Sequence, residues 1–264
     1  MPEGSTDRVD RVDGRQPGVA VVLFDWGGTL TPFHEVDLLD LWRVAARVLV
    51  PGGDEPRAEH VAAALAEAER DWWEHAVTSG RSGTTADVLA AAARQTGIDV
   101  ETALASGALD AHLEAWTEHT LTDPDAAPVL RNLRARGIRT GLLSNTHWPR
   151  HWHEQWLERD GVLGLLDART YTSDLPHLKP HPEAFRAALA AVAAACDEPP
   201  VDPSRVVFVG DRPFDDLFGA GQLGMRTVLR PHPAVPGYDV TPDASIASLL
   251  ELLPLVDRWC ALGS

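Results

Sequence analysis

The apolar residues of the chain follow two rhythms. Residues 19–24, Val-Ala-Val-Val-Leu-Phe, form a continuous run rich in β-branched types, and comparable short runs recur at 140–143 and 205–209. Runs of that length and composition predict strands buried on both faces, the habit of a parallel sheet. Between the first two runs the rhythm changes. Apolar positions recur at helical spacing over 36–49, 57–77, 86–95 and 100–121, in sequence rich in Ala, Leu and Glu, so four helices and no strand are expected there. Pro51-Gly52-Gly53, the glycine-rich stretch 79–83 and Gly97 separate them, and Thr85 with Asp87 two residues on reads as a helix start. A helix over 126–136 follows Asp123-Pro124, and strand and helix then alternate to about Leu253.

The expected fold is therefore α/β. A Rossmann-like parallel-sheet core is contributed by 19–33 and 122–264, and a helical insert occupies 34–121. Residues 1–18 are polar and charged without an apolar stretch, which reads as a flexible tail rather than a signal peptide. No repeat interrupts the pattern, and no apolar run is long enough to cross a membrane.

Each of the three apolar runs ends in polar groups. The first leads into Asp25-Trp26-Gly27-Gly28-Thr29, the second into Ser144-Asn145, and the third into Gly210-Asp211 with Asp215 and Asp216 close behind. In open α/β sheets the ligand crevice lies beyond the carboxyl ends of the strands, so these side chains are expected to converge. Lys179 is expected to join them. It is the only lysine among 23 basic residues, and a chain that otherwise uses arginine keeps an ammonium where a compact point charge is needed.

These four segments, in this order, resemble the haloacid dehalogenase superfamily, in its phosphatase-type branch with a C1 helical cap. The resemblance runs from about residue 19 to 230. It implies that Asp25 is a nucleophile that takes up the phosphoryl group as an aspartyl-phosphate. It also implies that Ser144, Asn145, Gly28 and Lys179 hold the phosphoryl oxygens, that Lys179 is catalytic with Asp25 and Ser144, and that Mg²⁺ is bound by Asp25, Asp211 and the Gly27 carbonyl. Asp216 would orient Lys179 or the metal shell, with Asp215 an alternative for that place. The helical insert would be the cap over the site.

One position departs from the family. Its phosphatases carry an acid/base aspartate two residues after the nucleophile, where this chain has Gly27. Such a group contributes about 10²–10⁴ in rate, so Mg²⁺ binding is expected to persist while poor leaving groups react slowly. His34, His147 or a residue of the cap could supply the proton instead. A phosphonatase is disfavoured because the insert holds no lysine for a Schiff base. A haloacid dehalogenase is disfavoured because Gly210-Asp211 keeps a metal carboxylate. A competing reading is a catalytically weakened phosphoester-binding or regulatory protein.

Composition narrows the partners. A net charge of −16 lacks the basic footprint that nucleic acid needs; the family resemblance implies a small phosphorylated metabolite as the ligand, and a monomer or homodimer is expected. Two cysteines, Cys196 and Cys260, are too few for a disulfide framework and suggest the cytoplasm. His151 and His153, two apart, point to different sides of a helix and are not expected to share a metal with His147. Trp148, Trp152 and Trp156 are spaced as one packed helix stripe. Trp26 is expected to pack beside its loop, and Trp72, Trp73 and Trp116 to serve chiefly as core of the insert. Arg81 sits in a glycine-rich loop that could read an anion, though a solvated arginine is the default there.

Overall fold

The computed structural model describes residues 18–262. The expected tail at 1–18 lies outside the described residues except for Gly18. The chain order is β1 (Val21–Phe24), α1 (Leu38–Leu49), α2 (Glu55–Ser79), α3 (Thr85–Thr96), α4 (Val100–Ala105), α5 (Ala108–Ala115), α6 (Ala126–Ala135), β2 (Arg139–Ser144), α7 (Arg150–Arg159) and β3 (Ala168–Tyr171). There follow α8 (Pro182–Ala195), β4 (Val206–Gly210), a π-helical turn (Pro213–Phe218), α9 (Gly219–Gln222), β5 (Arg226–Leu229), β6 (Ala244–Ser245) and α10 (Leu252–Leu262).

The six strands form one parallel sheet in the order β3-β2-β1-β4-β5-β6. Every residue of β1 is buried, which is why the run carries no polar alternation. Successive side chains point to opposite faces. Val22 and Phe24 join the cluster built with α6, α7 and α10, and Val21 and Leu23 join the cluster built with α8. The strand order reverses at β1, whose two neighbours are β2 and β4. The crevice of an α/β sheet opens at such a switch point.

Helices α1–α5 pack chiefly on one another around a third cluster, made largely of alanines with Trp42, Val61, Leu65, Val88 and Leu89. Alanine lets helices approach closely, and α2, the long central element, lies against both α1 and α3. The boundaries differ from the expected ones where caps intervene. Asp37 and Asp54 start α1 and α2 by accepting backbone N–H bonds, and Thr84 rather than Thr85 caps α3 in a capping box with Asp87. The expected helix over 100–121 is broken. Gly107, at φ +81°, turns the chain between α4 and α5, and residues 117–119 tighten into a single 3₁₀ turn. Helical spacing of apolar residues carried on across a residue whose backbone does not.

Candidate active site

Asp25 follows β1 directly, and its N–H donates to the Val209 carbonyl at 2.8 Å, so the nucleophile candidate is tied to the end of β4. Ser144 ends β2, and Asp211 follows β4. All three are buried. Glycine is required where these segments touch. Gly28 has φ +80°, and a side chain there would run into the Asp211 carboxylate, while one at Gly210 would run into Asp216. Gly27 is different. A Cβ built on it meets nothing within 4 Å, and its φ is not in the left-handed region.

Lys179 is buried to 1 % exposure, and its Nζ lies 2.6 Å from Asp25 Oδ1 and 2.6 Å from Asp216 Oδ1. Burial works against the ammonium, but Asp216 and Asp25 more than offset it and its pKa is raised. Asp216 also accepts the Arg212 N–H at 2.9 Å, so both of its oxygens are engaged. Of the two neighbouring aspartates it is therefore Asp216 that holds Lys179. Asp215 lines the cavity instead, its pKa pushed up to about 6 by burial and by Asp216. Asn145 lines the cavity too, but its side chain bonds the Lys179 backbone in both directions, at 2.8 and 3.0 Å. That amide fixes the lysine loop with its oxygen and one of its two N–H groups.

The carboxylates are out of balance. Asp25, Asp211 and Asp216 bring ligand oxygens within 4.8 Å of one another, and three ionised carboxylates against one ammonium leave an excess of two negative charges. Both oxygens of Asp211 are buried with no hydrogen-bond partner, a costly state for a carboxylate. Its pKa is pushed up to about 8 by burial, then by Asp25 and Asp216. Asp25 is pushed up to about 6 by burial, with Lys179 pulling the other way. A buried set of hard oxygen donors with this deficit of positive charge fits a divalent cation such as Mg²⁺.

Above the carboxylates lies a cavity of about 440 Å³, bounded by the strand ends on one side and by α1, α2 and the segment 116–120 on the other. His34, exposed, and His119 stand at this cavity with rings 6.4 Å apart. Trp73, Trp116 and Trp148 also face it. That corrects the expected stripe. Trp152 and Trp156 are buried on α7, but Trp148 precedes the helix and turns to the cavity. Trp26 stacks on Trp156 with ring centroids 5.8 Å apart while also reaching the cavity. Arg81 is exposed, is not among the lining residues and bridges to His177.

The residue that sequence reading missed is Glu69. It is buried on α2, accepts from Trp42 Nε1 at 2.6 Å and meets His147 Nε2 at 2.9 Å. Burial opposes its charge, but the His147 and Trp42 bonds hold its pKa below the ordinary carboxylate range. His147 also faces Thr85 Oγ1 at 3.0 Å, so it joins the insert to the β2 end; among the described residues it belongs to no candidate metal cluster. A signal existed. Ala62, Leu65 and Glu69 fall at i, i+3 and i+7 on the buried face of α2.

Comparison with known proteins places these features in context. The model of the haloacid dehalogenase-like hydrolases matches residues 19–224. A glyceraldehyde 3-phosphate phosphatase of Methanopyrus kandleri is 28% identical over 135 residues, 51% of this chain and 54% of that protein. A phosphoglycolate phosphatase of Cereibacter sphaeroides is 38% identical over 125 residues, 47% of this chain and 51% of that protein. The chain thus spans about half the length of the curated relatives it matches. Among solved structures, a 2-haloacid dehalogenase from Pseudomonas syringae pv. Tomato DC3000 superposes with a TM-score of 0.62 at 27% identity, over 91% of this chain and 99% of that one. Among the described residues no helix is long and apolar enough to cross a membrane.

Proposed function

The chain belongs to the haloacid dehalogenase-like hydrolases, and we propose that it is a Mg²⁺-dependent phosphatase that transfers the phosphoryl group of a small substrate to Asp25 and then to water. Asp211 carries this reading. A buried carboxylate with two unpartnered oxygens beside the nucleophile is suited to a cation, and a metal-free dehalogenase mechanism gives it no task. Asp25, Asp211 and the main chain of Gly27 would hold the ion. Bound there, Mg²⁺ screens the nucleophile from the phosphoryl oxygens and draws off their charge.

The protein's own groups supply the rest. Lys179 keeps Asp25 ionised and oriented through the 2.6 Å contact to Oδ1, and Asp216 keeps Lys179 in place from the other side. An Asp25 oxygen forms the bond to phosphorus as the bond to the leaving oxygen breaks, and that oxygen departs with the electron pair. Ser144 at the end of β2, Lys179 and the amides of the Gly28 turn stand where they can hold the phosphoryl oxygens. Water then attacks phosphorus and releases phosphate and the Asp25 carboxylate. The helices of 34–121 act as a cap, and the inward-facing Trp73 and Trp116 with the bound substrate close the cavity against bulk water. We place the enzyme in the cytoplasm.

The test is phosphate release by the purified protein with and without Mg²⁺, across acetyl phosphate, aryl phosphates, glyceraldehyde 3-phosphate, phosphoglycolate, sugar phosphates and nucleotides. Turnover that needs Mg²⁺ and disappears in Asp25→Asn is the expected result. Silence across the panel with Mg²⁺ still bound would replace the phosphatase by a phosphoester-binding or regulatory protein.

A further inference from the structure

Besides the carboxylates and Lys179, the cavity is lined by Trp73 and Val77 from α2, Trp116, Trp148, Phe33 and Leu38. Trp116 and Trp148 stand 4.8 Å apart at a tilt of 52°, and both are only half-buried, so their faces are incompletely covered by protein. Charge is distributed unevenly. Among the described residues, Lys179 and Arg212 are the only lysine and arginine lining it. Lys179 is committed to Asp25 and Asp216, Arg212 is exposed, and the carboxylates of Asp25, Glu69 and Asp215 line the same cavity. A leaving group bearing a carboxylate or a second phosphate would therefore meet indole faces, these carboxylates and the imidazoles of His34 and His119 rather than a buried guanidinium.

Gly27 points the same way from an independent direction. No side chain stands at the position from which family phosphatases protonate the leaving oxygen, and nothing else fills the space beside it. An alkoxide, a far stronger base than a phenoxide, leaves poorly without a proton donor. A phenoxide, with a parent pKa of about 10, leaves readily.

Resting on the phosphatase reading, we propose that this site is built for phosphate monoesters of uncharged aromatic alcohols, with the ring lodged against Trp73, Trp116 and Trp148 and the phosphoryl group at Asp25. The step balances without an acid in the protein. The phosphorus–oxygen bond breaks as Asp25 bonds to phosphorus, the phenoxide keeps the electron pair and takes a proton from water, and a second water hydrolyses the aspartyl-phosphate to dihydrogen phosphate, which gives one proton to the hydroxide left by the first water.

The experiment uses the full chain with Mg²⁺. Acetyl phosphate, which needs neither ring nor acid, first establishes turnover; no turnover on it or on any aryl ester overturns the phosphatase reading itself. The inference is then read from phenyl phosphate, 4-carboxyphenyl phosphate and cyclohexyl phosphate. Phenyl phosphate is expected to exceed 4-carboxyphenyl phosphate by about tenfold or more in kcat/KM, although the carboxyl derivative has the better leaving group, through a higher KM for the charged ring. Cyclohexyl phosphate, equally apolar, is expected to keep its KM and lose kcat. Inhibition separates binding from chemistry. Phenylphosphonate should compete about tenfold more tightly than methylphosphonate. Trp73→Ala should lower the ratio of phenyl to acetyl phosphate turnover several-fold. An unchanged ratio, equal affinity for the two phosphonates, or preference for the carboxylated ester would each overturn the proposal.

Discussion

Glu69 of α2 and His147 of the loop after β2 meet at 2.9 Å, 78 residues apart in sequence and both almost wholly out of water. Thr85 reinforces the junction by donating its Oγ1–H to the His147 carbonyl at 2.9 Å. The cavity lies beside this junction, so the pair sets the distance between the helical layer and the strand ends. Glu69→Ala is expected to cost about 3 kcal/mol of stability, because it leaves His147 and the Trp42 indole N–H buried without their acceptor. Urea unfolding of Glu69→Ala, His147→Ala and the double variant should show a coupling of at least about 1 kcal/mol. Additive losses would mean that the two side chains fold independently.

Two other histidines make stability depend on acid. His112, stacked on Trp42 with centroids 3.5 Å apart, has its pKa lowered to about 4 by burial, with Glu69 pulling the other way. His153, between Trp26 and Tyr171, is lowered to about 3, again by burial. The unfolded chain takes up protons on these residues below about pH 6.5 while the native one does not. Each therefore withdraws stability as pH falls from about 6.5 toward 4. In the metal-free protein Asp25 and Asp211 act in the opposite sense, since their raised pKa values let the native state gain protons first. The informative quantity is thus a difference. The gap in unfolding free energy between the native sequence and His112→Gln should narrow steadily between pH 7.5 and 5, and a gap independent of pH would contradict the buried neutral imidazole.

Lys179 should not tolerate its usual substitute. Its ammonium is enclosed between Asp25 and Asp216 with 1 % exposure, and the Phe208 ring lies 5.4 Å from Nζ. A guanidinium is wider and planar, so Lys179→Arg is expected to lose about 10²-fold or more in kcat and to displace Asp25. Lys179→Met, close in size, should lose at least as much activity and also stability, because Asp216 would be left buried without its cation. Wild-type kcat in Lys179→Arg would show that charge alone matters at this position.

The strand ends that gather the candidate site were legible in the sequence, and physics explains which parts were not. Apolar runs at 21–24, 142–143 and 206–209 made β1, β2 and β4 stand out, and the polar groups Asp25, Ser144 and Asp211 at their ends stood out with them. Lys179 was conspicuous by rarity. Strand β3 reads Ala-Arg-Thr-Tyr and β6 is two residues long; their places at the two edges of the sheet remove the need for a continuous apolar run. Glu69 escaped notice because its partners belong to other elements, and a buried carboxylate looks like a surface one until the helices are packed. The engagement of the Asn145 side chain by the Lys179 backbone was hidden for the same reason, being a contact across 34 residues.

Removing the Asp211 carboxylate should uncouple stability from Mg²⁺. On the proposed function the ion would relieve repulsion among Asp25, Asp211 and Asp216, so saturating Mg²⁺ is expected to raise the unfolding free energy of the native sequence by about 2–3 kcal/mol at a hundredfold excess over Kd. Asp211→Asn removes one of the crowded charges. The metal-free variant should be at least as stable as the metal-free native protein, and added Mg²⁺ should shift its melting temperature little. Differential scanning calorimetry at matched ionic strength with NaCl controls separates specific binding from screening. An equal Mg²⁺ shift in both proteins would move the ion away from Asp211.

Gly27→Asp is the most informative single change, because the structure leaves room for it. The backbone there is in a region open to any residue, and a Cβ meets no atom within 4 Å, so the substitution should carry little steric cost, while its added charge beside Asp25 and Asp211 should lower the stability of the metal-free protein. The new carboxyl would enter the cavity beside Asp25, at the place from which a leaving oxygen can be protonated. Catalysis should change selectively. Alkyl esters such as cyclohexyl phosphate, limited by departure of an alkoxide, are expected to gain about 10²-fold or more in kcat. Aryl and acyl phosphates, whose leaving groups need no proton, should gain little, so the slope of log kcat against leaving-group pKa should flatten. Equal gains for all esters would point to improved positioning rather than proton donation. No gain for any ester, with Asp25-dependent turnover retained, would mean that a proton already reaches the leaving oxygen by another route, and His34 and His119 at the cavity would then be the residues to replace.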